Sequence, residues 1–508
     1  MSGIRKVLEN SFLYTFSSLL VKAIGFIMLP IYTNFLTPDD YGITNLVNSF
    51  TGVATFIVAF SLYSAIIRFY VDYKSDREKL KRFYGTILMF ISISGLIFAG
   101  IMFLFRKTLV RWLFDGIDFF PFVIIALLTL TFICLHTAHQ SILKGMQSGR
   151  KLTVISLIVF VLQVGLNLFF IGVLKLGAAG VLLSTLTINA IYVFYMLYDL
   201  VNNNLISFCI DIDLLKAALK YSVPIMPHNL STSIASFASR VFINRSTALA
   251  SVGLYGVSMQ FGAIIDMVQS SVYQAFTPWL YNLMSQEGED KKKDIVVLSR
   301  FLLILYSLLY MGIGLFSPEV LMLMTAESYH MAWTVIPILV IAFSVKSLYY
   351  FYINILFYYK EAANKIFVST VTGSFADIIL SSILVKYYGM YGAALAFLVA
   401  KVIVVSLVVV MSKKYNDIGY EIVDMLKIII PSLLFMGAGL YFSLTKFLTT
   451  FSCTNLAYKI AIFLAYLIYI YFTNRKTINN LIKSRKIQAF LRKNGLLKQI
   501  KSINNLNL

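Results

Sequence analysis

The sequence predicts an all-α polytopic membrane protein, and three observations carry the prediction. The 508 residues are 59% hydrophobic and only 13% charged, with mean hydropathy +0.81, whereas soluble domains carry about 25% charged residues. The apolar residues gather into fourteen runs long enough to span a bilayer, which takes about 20 residues each. The net charge of +20 sits mostly in alternate short loops, a sign of orientation in a membrane and not of a nucleic-acid partner. Cys134, Cys209 and Cys453 lie far apart and suggest neither a disulfide frame nor a metal site.

The first span, 12–36, is too long for the apolar core of a signal peptide and lacks a small-residue cleavage site, so it reads as a retained helix. Spans 2 to 6 follow at 43–70, 83–105, 119–143, 152–174 and 178–200. Spans 7 to 12 lie at 219–243, 252–284, 295–317, 330–357, 364–385 and 389–411, and the last two at 427–448 and 455–473. The odd-numbered gaps carry few bases: none in 37–42 or 318–329, and single ones at Lys175, Arg245 and Lys386. The third gap is the exception, with Arg106, Lys107 and Arg111. The even gaps are basic: Lys74, Arg77, Lys79, Lys81 and Arg82, then Lys144, Arg150 and Lys151, then Lys291, Lys292 and Lys293, then Lys413 and Lys414. Basic loops stay on the cytoplasmic side, so both termini are expected there. The acidic stretch TPDDYG (37–42) is then the first outward loop.

An internal repeat organises the spans. DDYGITNLV (39–47) resembles GLYGVSMQF (253–261), and RKLTVIS (150–156) resembles NKIFVST (364–370), both at a shift of 214. LGAAGVLLS (176–184) matches YGMYGAALA (388–396) at 212, and KRFYGTILM (81–89) matches SRFLLILYS (299–307) at 218. Four matches in order at a nearly constant offset point to two copies of a six-helix unit in the same orientation, with a substrate path between them. The expected organisation is an N-lobe at 1–200, a cytoplasmic linker at 201–218, a C-lobe at 219–411, two further helices in 412–473 and a basic cytoplasmic tail at 474–508. The tail intersperses apolar residues with nine bases and no acid, which suits anionic lipid better than nucleic acid.

Charges inside a membrane persist where they face protein or water. In span 1, Ser11, Thr15, Ser18, Lys22 and Gly25 share one helical face at spacings of 4, 3, 4 and 3. In span 7, Asn229, Thr232, Ser236 and Arg240 form a similar stripe. Lys346 and Lys401 add two more deep bases, against Asp266 and Asp377 as the deep acids. Such a balance favours an anion, because desolvated Arg and Lys bind phosphate oxygens through charge-assisted hydrogen bonds. Asp266 and Asp377 either neutralise neighbouring bases or serve as ion-coupling groups for H+ or Na+. Arg68 and Lys459 lie near span ends, where long side chains reach the interface. Pro30, Pro224, Pro227, Pro278 and Pro337 fall inside the assigned spans and suggest kinks. His136 and His139 are three apart, with no third metal ligand apparent. No phosphate-binding loop, serine nucleophile elbow or acidic glycosyltransferase motif is present, so a transporter is expected in place of an enzyme, with no cofactor.

Four stretches resemble the bacterial polysaccharide-biosynthesis membrane proteins, the lipid-linked oligosaccharide (O-antigen) flippases. They are LPIYTNFLTPDDYG (29–42), LKYSVPIMPHNLSTSIASFASRVFIN (219–244), SVGLYGVSMQF (251–261) and YYGMYGAALAFLVAK (387–401). The resemblance implies a fold related to the multidrug and toxin extrusion transporters, with fourteen helices. It also implies an undecaprenyl-pyrophosphate-linked oligosaccharide as substrate, a place in the inner membrane, and lipopolysaccharide, capsule or exopolysaccharide biosynthesis, with a polysaccharide polymerase as a further partner. Family members often carry an acid before the span 7 arginine. Ser239 stands there here, which argues against proton coupling at that position. On this reading Lys22, Arg240, Arg68, Lys346 and Lys401 bind the pyrophosphate, and Ser18, Asn229 and Gln260 the sugar. Three rivals stand beside it: a peptidoglycan-precursor flippase, a drug/cation antiporter of the same fold, and a non-transporting membrane scaffold.

Overall fold

The structure is a computed structural model that describes residues 25–285, 289–363 and 365–483. Among the described residues every regular element is helical. They begin with α1 (Leu29–Phe35), α2 (Pro38–Ala59), α3 (Leu62–Tyr73), α4 (Arg77–Leu104), α5 (Arg106–Leu113), α6 (Ile124–Gly145), α7 (Gly149–Asn167) and α8 (Gly177–Asn202). A connecting helix, α9 (Ile212–Ser222), leads to α10 (Met226–Ser246), α11 (Leu249–Met284), α12 (Glu289–Met324), α13 (Ile336–Tyr358) and the short α14 (Lys360–Ala363). The chain continues through α15 (Ile366–Tyr415), α16 (Ile422–Thr445) and α17 (Cys453–Lys483).

Eleven segments among the described residues are long and apolar enough to cross a membrane, so this is a multi-pass membrane protein. Three local causes separate that number from the fourteen spans. Span 1 begins among residues outside the description. Span 7, now α10, is thinned in hydropathy by its own polar stripe. Spans 11 and 12 run together as the 50-residue α15, which reverses at Gly389 (φ 53°, ψ −133°). The two arms of α15 then pack so closely that a Cβ on Gly373 would come within 2.1 Å of the Val404 side chain. Gly177, its counterpart at the 212 shift, has φ 55°. Positive φ is cheap only for glycine, so the repeated glycines mark the same backbone reversal in both copies.

The chain forms two compact units. The first comprises Met1–Met267, Leu321–Leu339 and Lys365–Val404. A buried cluster in it draws Ala54 and Val58 from α2, Ile66 from α3, Phe83 and Ile87 from α4, Ile142 from α6, and Met196 from α8. Lipid tails are as apolar as these side chains, so close packing and polar contacts hold such helices together, and burial from water contributes little. The second unit comprises Val268–Val320, Val340–Asn364 and Val405–Leu508. Its interior is stitched by polar contacts: Gln269 donates to the Tyr310 hydroxyl at 2.8 Å, and the Tyr466 hydroxyl donates to Ser307 at 2.6 Å.

The acidic TPDDYG stretch serves helix ends. Thr37 caps α2: its hydroxyl accepts from the Asp40 amide at 3.1 Å, and the Asp40 carboxylate accepts from the Thr37 amide at 3.2 Å. The same carboxylate accepts from the Ala178 amide at 3.3 Å, at the first turn of α8. One aspartate thus satisfies donors at two helix N-termini, where negative charge is favoured. Beside it, Gly42 and Gly253 bring α2 and α11 into backbone contact. A Cβ on Gly42 would lie 2.1 Å from the Leu249 carbonyl, and one on Gly253 2.1 Å from the Pro38 carbonyl. The two sequence-related motifs therefore meet face to face.

One expectation is sharpened and one corrected. Of the five prolines, Pro278 lies in the interior of an unbroken helix. Pro30 and Pro227 occupy the first turns of α1 and α10, Pro224 lies in a 3-10 turn, and Pro337 is the second residue of α13. Pro30, Pro224 and Pro227 thus sit where a helical path is interrupted, after Met28 and in the 3-10 turn that joins α9 to α10, so the breaks expected from sequence fall between helix segments. Pro318 and Pro431 are the further interior prolines. Lys459 does not extend to an interface: it is fully buried, and its ammonium meets both Glu319 oxygens at 2.7 and 2.8 Å. Depth along the span was not enough to place it, because its partner sits 140 residues away.

Candidate functional site

The candidate site is built on α10, whose two faces differ. Ala235, Phe237, Ser239, Val241 and Ile243 are buried, and Phe237 packs its ring 5.8 Å from Phe50 of α2. On the other face Thr232 and Ser236 are exposed and Asn229 and Arg240 half-buried. Arg240 donates from Nη1 to the Ser236 carbonyl at 2.8 Å and hydroxyl at 2.7 Å. Its guanidinium carbon lies 5.8 Å from the Tyr255 ring centroid. Its Nε is buried without a hydrogen-bond partner. Among the described residues no carboxylate pairs with it, and its electrostatic neighbours are Tyr255 and Tyr41. A guanidinium has five donors and no acceptor, so this one is held in place with donors to spare.

The surrounding groups come from five segments of the same unit. Tyr41 lies beside Gln260 and Asn45, the Asn45 amide donating to the Tyr41 carbonyl at 2.8 Å, and its ring packs against Tyr32 at 5.9 Å and Tyr329 at 6.2 Å. Gln260 in turn lies against Gly25, where a Cβ would stand 2.7 Å from its carbonyl oxygen. Gly25, the last position of the span 1 stripe, therefore faces α11, while the other four positions lie outside the described residues. On the other side, Ser239 shares a hydrogen bond of 3.1 Å with Ser381, which donates to the buried Asp377 at 3.3 Å. Asp377 and Lys401 are each twelve residues from Gly389, on opposite arms of α15, and so lie at one height. Lys401 acts on Asp377 electrostatically and lies 4.4 Å from the Phe397 ring centroid.

The structure thus gathers Arg240, Asn229, Gln260, Asp377 and Lys401 in the first unit. Arg68 stands apart, pairing with Asp72 at 2.6 Å near the end of α3, with half its side chain exposed. Lys346 belongs to the second unit, 5.7 and 5.6 Å from the rings of Phe343 and Tyr350. Asp266 is half-buried on α11. Lys22 and Ser18 lie outside the described residues. His136 hydrogen-bonds with Asn189 at 2.8 Å and Gln140 at 3.1 Å, and stacks on Tyr192 with centroids 3.5 Å apart. Sequence reasoning missed Tyr41 and Tyr255 as neighbours of the arginine. The repeated Tyr-Gly pair was the available signal, since it placed Tyr41 and Tyr255 at equivalent points of the two copies.

Comparison with known proteins identifies the family. Residues 7–284, more than half of the chain, match the family described as polysaccharide biosynthesis protein. The chain belongs to that family. No curated relative matches it. Among solved structures, it resembles a lipid II flippase, MurJ, in an inward closed conformation, with TM-score 0.67 and 17% identity over 93% of this chain and 100% of that one. It also resembles an inward-facing multidrug resistance MATE family transporter of the MOP superfamily, with TM-score 0.61 and 17% identity over 78% of this chain and 94% of that one. An outward-facing MATE transporter gives 0.58 and 16% over 82% and 96%. The fold expected from sequence is therefore shown.

Proposed function

We propose that the protein is a flippase that moves an oligosaccharide linked to undecaprenyl pyrophosphate from the cytoplasmic to the outer leaflet of the bacterial inner membrane. The observation that carries the reading is Arg240, a cation with no carboxylate partner among the described residues and a buried, unpartnered Nε–H. Leaving such a donor unpaired is costly, and a diphosphate supplies the oxygens it lacks. Membership of a polysaccharide-biosynthesis family supports a glycan as cargo, and one fold neighbour is named for flipping a lipid-linked precursor.

In this mechanism Arg240, with Lys22, grips the pyrophosphate. Asn229, Gln260 and Ser18 offer amide and hydroxyl groups to the sugar, while the polyprenyl chain stays in lipid beside the last two helices. The two six-helix lobes then alternate access. Lys401 and Asp377 offset each other's charge, so they contribute less to anion binding than Arg240 does. Asp377 and Asp266 remain the groups for a coupling ion, H+ or Na+. Both termini are cytoplasmic, and the polymerase takes the product on the far side.

The test is complementation of a flippase-null strain together with a protection assay on labelled lipid-linked oligosaccharide. Arg240→Ala inserts normally and loses transport, and Arg240→Lys keeps part of it. Full transport by Arg240→Ala would overturn the proposal. Rescue of a strain depleted of its peptidoglycan-precursor flippase would shift the substrate to that precursor. Drug resistance abolished by neutralising Asp266 and Asp377 would shift it to an antiporter.

A further inference from the structure

A cavity of about 350 Å³ lies within the first unit, where α4 and α7 begin and α6 and α8 end. Its polar lining is Arg77, His139, Ser148, Lys151, Asp199 and Asn203, over an apolar floor. It is distinct from the Arg240 neighbourhood. Asp40 touches the start of α8, and Asp199 stands 21 residues further along that helix. At 1.5 Å per residue that is roughly 30 Å, about the thickness of the hydrocarbon core.

The carboxylate in this cavity is already committed. One Asp199 oxygen pairs with His139 Nε2 at 3.1 Å. The other takes the Lys151 ammonium and the Asn203 amide, the latter at 2.9 Å. His139, fully buried, uses its second nitrogen on the Tyr192 hydroxyl at 2.9 Å. Asp199 therefore orients Lys151 at the cavity and offers little to a cation. Arg77 donates one bond, from Nη2 to the Asn203 carbonyl at 3.2 Å. The 19-residue α7 begins at the cavity with no side-chain cap on its N-terminus, an end that favours anions. The bases in the first turns of α4 and α7, Lys79, Lys81, Arg82 and Arg150 among them, place this end of the helices at headgroup depth, where basic pockets bind lipid phosphates. The volume is that of an ordinary ligand site.

We propose that this cavity binds a phosphate group, carried by an anionic membrane lipid or free in solution, between Arg77, Lys151 and the start of α7. The site is separate from the transport arginine and does not depend on the transport reading.

The full-length protein in detergent is titrated with phosphatidylglycerol, with a phosphate-free glycolipid and with inorganic phosphate, reading the melting midpoint and retained lipid by native mass spectrometry. Phosphatidylglycerol raises the midpoint and stays bound, and the glycolipid does neither. Arg77→Gln binds at least about tenfold more weakly. Inorganic phosphate giving the same shift, also lost in Arg77→Gln, assigns the site to the free ion. Lys151→Gln removes a partner of Asp199 and risks the fold, whereas among the described residues Arg77 bonds only a carbonyl, so the Arg77 variant decides. An undiminished shift in Arg77→Gln, an equal response to the glycolipid, or no response to either phosphate overturns the proposal.

Discussion

Lys459 and Arg240 are both cations held among transmembrane helices, and the structure treats them in opposite ways. Lys459 is enclosed by its counter-ion: Glu319 receives its ammonium on both oxygens and is held by Asn455, which also donates to Ser443. Nothing is left for a ligand. Arg240 is anchored by its own helix at Ser236, with aromatic rings and hydroxyls beside it, and retains an unpartnered donor. Intramembrane charge is thus not one signal. A cation matched by a buried acid joins helices, and a cation held by neutral groups keeps a donor free for a ligand.

Five substitutions test that distinction, from the largest effect to the smallest. Lys459→Ala leaves Glu319 buried and unpaired, and should cost about 3–5 kcal/mol in reversible SDS unfolding. Adding Glu319→Leu should recover most of that loss, and a double variant no better than the single one would mean the pair is more than a clamp. Arg240→Ala should reduce transport by roughly 10- to 100-fold, the worth of one or two charge-assisted hydrogen bonds, with the unfolding midpoint unchanged. A stability loss as large as that of Lys459→Ala would put Arg240 in the same class. Thr37→Ala removes the cap of α2 and should cost about 1 kcal/mol, read in the same unfolding assay. Arg68→Ala should change neither transport nor stability measurably, since its pair with Asp72 is exposed and neighbouring on one helix.

Much of the fold was legible because hydropathy and loop charge are local. The repeat went further, since the shift between LGAAG and YGMYG names two glycines that the structure places at φ 55° and 53°. The site was legible in part. The 3–4 spacing of Asn229, Thr232, Ser236 and Arg240 identified the accessible face of α10. Spacing could not say which cations are already matched, because Lys459 and Glu319, or Lys151 and Asp199, meet only through tertiary packing across 140 and 48 residues. The acids of TPDDYG show the converse. Their sign suggested only a place outside the basic loops, whereas Asp40 bonds the ends of α2 and α8.

The glycine seam between α2 and α11 has a consequence for how this molecule is mapped by mutagenesis. Alanine scanning assumes that replacement deletes atoms, but at Gly42 and Gly253 it adds one, pressed into a neighbouring carbonyl. A survey of that kind would report a severe transport defect at two positions that touch no cargo, and would rank them with true ligand contacts. Separating the two requires an insertion or folding measurement beside each activity value.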